Sequence, residues 1–330
     1  MRILVIGGGS IGRRHLMNLK SIGAGELSLV EPGDARREEV AAEAGVPSFT
    51  TLAEGLDIRP DVAVIATPNH LHVENAIEAG ERGCHLFIEK PLSHDHTGLD
   101  SLNRVVRERG LVTMVGCNMR FHPGPARVKK LIRDGAVGKM RFMRVHTGSY
   151  LPGWRPWQDY RQSYSANQSM GGGVLLDCIH EIDLTRWYSG EVTSVLCDAG
   201  RIGDLEIDTE DYAEILMRHA DGNRSEVHLN YLSRTYERGC SVFGDAGTVH
   251  WEFESGQVRH YDAATETWKT YAQPPGWDVN QMYVDEVRYF LTCVERNLPT
   301  TLPVADATQL MRVVFAAKQS AAEDRRVEIS

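Results

Sequence analysis

The sequence predicts an α/β domain on a parallel sheet at residues 1–118, followed by an α+β domain at 119–330. Three observations carry this. Short apolar runs alternate with helical patterns as far as Gly116, strand follows strand after about residue 190, and a glycine cluster joins the first apolar run to the first helical pattern. Alternating strands and helices imply right-handed crossovers and hence parallel strands.

Residues 2–6 form a nearly continuous apolar run, as expected of a strand buried on both faces. A helical pattern through Ile11, His15, Leu16 and Leu19 follows, ending near Gly23. A second strand at 27–30 ends at Glu31-Pro32; a polar helix at about 34–44 leads to a weak strand near 46–49. Further strands are expected at 62–66, 86–88 and 112–115, with helices near 70–80 and 95–109.

Beyond Gly116 the pattern predicts a helix near 124–133, a strand at 140–149 and a long polar, aromatic-rich stretch over 150–170. A helix near 173–188 precedes strands at about 192–202, 210–218, 224–232, 238–243 and 247–253. Asp221-Gly222-Asn223 and Gly244-Asp245-Ala246-Gly247 are hairpin turn signals. Helices near 278–296 and 304–322 close the chain.

Composition narrows the function. A hydrophobic fraction of 42% and a charged fraction of 25% are those of an ordinary soluble globular protein. The formal charge of -9 argues against a primary nucleic-acid role, because neutralising phosphates needs a basic surface. Six scattered cysteines, with no C-x-x-C spacing, indicate neither a zinc knuckle nor a redox pair. The apolar start is too short for a signal peptide, and no apolar run approaches the roughly 20 residues of a membrane helix. A cytoplasmic protein acting on a small molecule is the expectation.

Gly7-Gly8-Gly9-Ser10-Ile11-Gly12 fits G-x-G-x-x-G between a strand and a helix, the context that makes the motif a dinucleotide-binding (Rossmann) signature. Gly7 permits the turn, Gly9 the approach of a diphosphate, and Gly12 the packing of helix on strand; the backbone at Ser10 and Ile11 opens the helix. Glu31, about 20 residues on, would accept from the ribose hydroxyls and repel a 2′-phosphate. NAD is therefore the expected cofactor, with NADP left open by Arg36 and Arg37.

Glu89-Lys90-Pro91 ends the fifth strand, at the sheet edge where such folds hold ligands. Lys90 there can stabilise a developing alkoxide beside the nicotinamide, and the Lys90–Pro91 bond is a candidate cis peptide. Three glycines at 171–173 open a helical stretch carrying Asp177 and His180, three apart on neighbouring parts of one face. His180 is suited to exchange a hydroxyl proton near neutrality. Asp177 either orients it or binds a hydroxyl itself. Cys178, His180, Glu181 and Asp183 point around the helix without a metal-binding motif, so no metal is expected.

These motifs together resemble the Gfo/Idh/MocA oxidoreductases across essentially the whole chain. GGGSIG, ATPNHLH (66–72), EKP (89–91), GCNMRFHP (116–123) and GGGVLLDCIHEIDL (171–184) occur in that family's order. The resemblance implies that Lys90 lies beside the nicotinamide and that His180 is the acid/base. It also implies that Thr67, Asn69 and His72, together with Glu89, belong to the cofactor side. The second domain would be an open-faced, mostly antiparallel sheet that packs against another subunit, giving a dimer or tetramer. One departure is notable: the family commonly sets its aspartate four residues before the histidine, and here the spacing is three.

The expected substrate is a sugar, sugar derivative or cyclitol with a secondary hydroxyl. Trp154, Arg155, Tyr160 and Tyr164 of the aromatic stretch and Arg120 of NMRF are the candidate substrate-binding residues; the arginines either select an anionic sugar or pair with the chain's many acids or a subunit interface. Two other function classes use the same scaffold: a glycosidase or lyase working through transient oxidation, and a non-catalytic NAD-binding regulator.

Overall fold

The computed structural model describes residues 1–329 and divides into two compact units, Met1–Asn118 with Asp278–Gln309, and Met119–Trp277 with the chain from Leu310. The first contains β1 (Arg2–Ile6), α1 (Ser10–Ser21), β2 (Glu26–Val30), α2 (Asp34–Ala44), β3 (Ser48–Phe49), α3 (Leu52–Asp57), β4 (Val62–Ile65), α4 (His72–Glu81), β5 (His85–Glu89), α5 (Leu99–Arg109) and β6 (Thr113–Gly116). Its six strands are all parallel, in the order β3-β2-β1-β4-β5-β6. That is the doubly wound dinucleotide-binding order, with the reversal beside the first strand. Ile3, Leu4 and Val5 are fully buried, which explains the unbroken apolar run of β1. α3, which the apolar periodicity does not reveal, is closed by a capping box between Thr51 and Glu54.

The second unit begins with α6 (Pro123–Arg133) and β7 (Met140–Gly148), then α7 (Val174–Asp177) and α8 (Ile179–Ser189). β8 (Val192–Gly200), β9 (Tyr212–His219), β10 (Arg224–Asn230), β11 (Glu237–Gly244), β12 (Gly247–Glu252), β13 (Gln257–Asp262) and β14 (Thr267–Ala272) follow. α9 (Asn280–Arg296) packs on α1 in the first unit, although it lies far beyond residue 118. α10 (Val304–Glu323) and β15 (Val327–Glu328) complete the described chain. Nine strands form one sheet, β14-β13-β12-β11-β7-β10-β9-β8-β15, antiparallel at every pairing except β10 with β7.

That sheet is open on one face. Along β9, Ala213, Ile215 and Met217 are buried while the alternate Leu216 and Arg218 are exposed. α7 and α8 lie against its strands, and α8 is buried on nearly every side. The hairpin of β13 and β14 was not expected from the sequence. β14 is exposed on both faces, so it carries no alternation to read.

The helix expected over 173–188 is two helices. The chain breaks at Cys178, between α7 and α8, so Asp177 ends one helix and His180 lies in the first turn of the next. A phase argument across a continuous helix therefore does not apply to this pair. No helix among the described residues is long and apolar enough to cross a membrane. All six cysteines are buried, and none forms a disulfide.

His122 shows how burial couples this fold to pH. It caps α6, its Nδ1 accepting from the Gly124 amide at 3.0 Å, and Pro123 follows at the first helical position. Burial, assisted by the Arg238 charge, pushes the imidazole from its ordinary 6.5 down to about 4. The unfolded chain takes up this proton first, so the contribution is complete above pH 6.5 and is lost as pH falls towards 4. Its size is on the order of 3 kcal/mol. The thermal unfolding midpoint should therefore fall over this interval, and His122→Asn, which keeps the cap acceptor but does not titrate, should flatten part of that fall in calorimetry.

Candidate active site

The glycine loop joins β1 to α1 and is shaped by backbone crowding. Gly7 has φ +100°, and a Cβ on it would lie 2.6 Å from the Ala66 carbonyl oxygen. A Cβ on Gly12 would lie 1.9 Å from the Gly7 carbonyl oxygen, so only glycine lets α1 come this close to the turn. At Gly9 the reverse holds: a Cβ would meet nothing within 4 Å. Gly9 is also the N-cap of α1, which has no side-chain cap and no acid in its first turn. The first N–H groups of α1 are thus left for an anion, with open space in front of them. These residues fit a dinucleotide.

Glu31 lies just past β2, buried, with Oε2 accepting from the Gly8 amide at 2.8 Å and Oε1 from the Gly33 amide at 2.9 Å. Its carboxylate is held at the loop, where ribose hydroxyls are expected. Arg36 is 3.8 Å from it and exposed; Arg37 turns to Asp34 and to the Glu31 carbonyl.

Two further loops leave the same edge of the sheet, because all its strands run in one direction. After β4 come Thr67 and the buried Asn69, and after β5 comes Lys90, whose peptide to Pro91 is cis. His72 joins these loops. Its Nδ1 lies 2.7 Å from the Pro91 carbonyl oxygen and its Nε2 lies 2.8 Å from that of Thr67. Burial lowers the pKa of this imidazole even though both carbonyls favour its charged form. The side chain expected to face the cofactor is a clamp between two loops. Glu89 points back into the unit, 2.5 Å from Nε2 of His15 on α1.

A cavity of about 490 Å³ runs beside α4 and is lined by Val73, Ile77, Glu78, His94 and neighbours. None of the glycine-loop or EKP residues borders it.

In the second unit the glycines at 171–173 again answer to close approach. A Cβ at Gly172 would sit 2.2 Å from the Tyr164 carbonyl oxygen, and one at Gly173, φ +106°, 2.3 Å from the Glu210 carboxylate. Glu210 in turn accepts from the Leu175 amide at 3.1 Å, and burial raises its pKa against the opposing charge of Lys318. Asp177 and His180 are both buried. Asp177 accepts from the Tyr231 hydroxyl at 2.7 Å. Burial and that carboxylate hold the Tyr231 hydroxyl well above its ordinary range, so it stays a donor. Tyr231 escaped sequence reading because its partner lies 54 residues away and nothing local marks it.

The substrate candidates separate into groups. Arg120 is 5% exposed and makes a two-pronged pair with Asp183, at 2.8 and 2.6 Å, over the Trp187 ring. Its fork is thus directed at a protein carboxylate, unlike the anion-binding arrangement expected of it. Trp154 donates to the Ser149 hydroxyl and meets the Tyr231 ring edge-on at 5.3 Å; Arg155 lies over Tyr164. The Tyr160 hydroxyl accepts from the Glu206 amide, and Arg161 pairs with Asp159 and Glu206. Trp157, at the tip of the stretch, is 82% exposed. Glu181 and Arg238 form a second buried ion pair at 2.8 Å. Among the described residues no group of three or more His, Cys, Asp or Glu is arranged to hold a metal.

A doubly wound parallel sheet, with an uncapped glycine cradle and an acid at the end of the second strand, defines a nicotinamide-dinucleotide oxidoreductase. The particular family follows from comparison. Residues 1–117 match the model described as "Oxidoreductase family, NAD-binding Rossmann fold", and residues 126–250 match the GFO/IDH/MocA C-terminal domain. The chain belongs to the Gfo/Idh/MocA oxidoreductases and binds NAD. Myo-inositol 2-dehydrogenase of Thermotoga maritima is 26% identical over 339 residues, spanning 100% of this chain and 98% of that one. 2,7-Anhydro-N-acetylneuraminate hydratase of Mediterraneibacter gnavus is 31% identical over 216 residues, 60% of this chain and 56% of that one. The fold of levoglucosan dehydrogenase, solved in complex with NADH, superposes with a TM-score of 0.91 at 23% identity, covering 100% of this chain and 99% of the other.

Two substitutions separate the parts of the cradle. Gly9→Val should leave the unfolding midpoint unchanged and weaken NADH binding at least about tenfold, measured by fluorescence titration, because its side chain fills the diphosphate's place. Gly12→Ala should destabilise the protein by roughly 1–3 kcal/mol in denaturant unfolding, because its methyl meets backbone.

Proposed function

We propose that the protein catalyses the reversible oxidation of a secondary hydroxyl on a sugar, sugar derivative or cyclitol, with Lys90 polarising the oxygen and His180 exchanging its proton. The observation that carries this reading is the position of Lys90. It follows β5 at the sheet edge that also bears the uncapped glycine cradle, so a lysine and a dinucleotide site share one edge of one rigid unit. When bound, the nicotinamide supplies or accepts the hydride.

The chain's own residues supply binding, polarisation and proton transfer. Gly7, Gly9 and Gly12 with the amides of Ser10 and Ile11 hold the diphosphate, while Glu31 accepts from the ribose and disfavours a 2′-phosphate. Thr67 and Asn69 flank the cofactor in the loop after β4, which His72 holds at a fixed distance from the loop after β5. The Lys90 ammonium stabilises negative charge growing on the substrate oxygen. His180 takes the hydroxyl proton in one direction and returns it in the other. Asp177, which accepts from the Tyr231 hydroxyl, orients either His180 or a second substrate hydroxyl. Trp154 and Tyr164 give the ring an apolar wall, and Arg155, lying over Tyr164, is the cation available to an acidic sugar.

A second reading, bond cleavage through transient oxidation at the same residues, is favoured by the similarity to a hydratase. The two are separated by products: net reduction of NAD in one, an altered sugar with no net reduction in the other.

Absorbance of reduced nicotinamide, followed with NAD and a panel of cyclitols, neutral sugars and sugar acids, tests the assignment. Lys90→Met and His180→Ala should each lower kcat by about 100- to 10,000-fold while NADH still binds. Loss of NADH binding in either variant, or turnover unchanged by both, would remove the proposed roles. Arg155→Met should reduce kcat/KM for sugar acids more than for neutral sugars.

We also propose a homo-oligomer, dimer or tetramer, built on the open face of the nine-stranded sheet. Leu216 and Trp268 are exposed there, and Phe142 stacks on Phe243 between them. Leu216→Glu combined with Trp268→Glu should yield a folded monomer in mass photometry; an unchanged mass would exclude this face.

A further inference from the structure

We propose that His15 is a positioning residue for Lys90, fixing the Glu89 carboxylate behind the lysine and tying the cofactor helix α1 to the end of β5; the inference rests on the role given to Lys90 above. His15 lies one turn into α1 and is 0% exposed. Its Nε2 is 2.5 Å from Oε1 of Glu89, and the other Glu89 oxygen accepts from the Lys90 amide at 3.2 Å. One carboxylate thus joins the helix that presents the diphosphate site to the backbone of the reacting lysine.

The niche around that carboxylate is specific. Glu89 is paired in register with Gly116 of β6, and a Cβ on Gly116 would stand 3.1 Å from Oε1. The His15 ring meets Phe87 edge-on at 5.1 Å and Tyr283 of α9 at 6.2 Å, and Arg14 lies over the Tyr283 ring. Nδ1 of His15 is buried with no hydrogen-bond partner. That orphan selects the tautomer. A proton on Nδ1 would be a buried unsatisfied donor, whereas a proton on Nε2 is used by Glu89 and leaves only a lone pair unmatched. His15 therefore donates through Nε2 to Oε1 of Glu89.

Removing the Nε2–H would leave Oε1 buried without this donor. A buried carboxylate in that condition turns towards another donor, which releases the Lys90 amide. The stem of Lys90 then leaves the strand in a different direction. A purely structural histidine would alter stability without touching the lysine.

The test uses the full chain with His15→Leu, His15→Gln and Gly116→Ala, scored by unfolding midpoint, NADH binding, kcat and KM. A readout independent of turnover is the 13C resonance of dimethylated Lys90, assigned by its absence in Lys90→Met. In His15→Leu we expect kcat to fall about 100-fold with KM and NADH affinity within about threefold, and the Lys90 resonance to move. His15→Gln, which keeps a donor, should recover kcat to within about tenfold and restore the resonance. If His15→Leu does not fold, Gly116→Ala, whose methyl crowds Glu89, must move the resonance instead. A folded His15→Leu with parental kcat, an unmoved resonance, or no recovery in a folded His15→Gln overturns the proposal. A parent that reduces no NAD with any polyol removes the dehydrogenase role, and the resonance still decides whether His15 positions the lysine.

Discussion

The nucleotide-binding unit depends on the contact between α1 and the turn that precedes it. With 1.9 Å between a Cβ on Gly12 and the Gly7 carbonyl oxygen, any side chain there would force the helix off the sheet. The glycine sets the approach of α1, and other features follow. The uncapped N–H groups point past Gly9 into open space, His15 is carried to Glu89, and α9 packs against the helix with Tyr283 at the His15 ring. The anion site and the support beneath Lys90 are two consequences of one close packing.

The second unit solves a different problem, which is to bury charge on helices that are almost wholly enclosed. Along α7 and α8, Asp177, Glu181 and Asp183 are each matched, by Tyr231, Arg238 and Arg120. Such pairs add little net stability, because desolvation offsets most of the attraction, yet breaking one costs about 3–5 kcal/mol. Their effect is geometric. With the acids on either side of His180 committed to fixed partners, the helix that carries it has few alternative rotations, and the break at Cys178 is held open by contacts on both sides.

What the sequence makes legible is what the backbone demands locally. The cradle can be read because two positions, Gly7 and Gly12, tolerate only glycine and lie between a strand and a helix; Lys90 and His180 stand out in the string by their chemistry and order. Tyr231 and His15 are ordinary residues until the fold brings Asp177 and Glu89 to them, 54 and 74 residues away. At His72 the motif marks the expected cofactor loop, and the fold adds that both ring nitrogens serve neighbouring carbonyls. Arg120 looks like an anion receptor in the string NMRF and is one, for Asp183. β14 left no pattern because an exposed edge imposes none, whereas β13 buries Val258 and His260 in alternation.

The aromatic stretch between β7 and α7 differs from both of these regions in how it is anchored. Arg161 is fixed by Asp159 and Glu206, and Tyr160 by the Glu206 amide, so this part of the loop is tied to another loop and not to the helix bearing His180. Trp154, edge-on to Tyr231, makes an aromatic contact that continues to Asp177. A loop supported in this way can change its composition while the acid/base helix keeps its packing. Under the proposed function, ring-selecting residues such as Arg155 and Trp157 would be free to vary, whereas a change at Trp154 would be transmitted through Tyr231 to Asp177. Selectivity and proton transfer are in this sense separable in the second unit, and Trp154 marks the point where they meet.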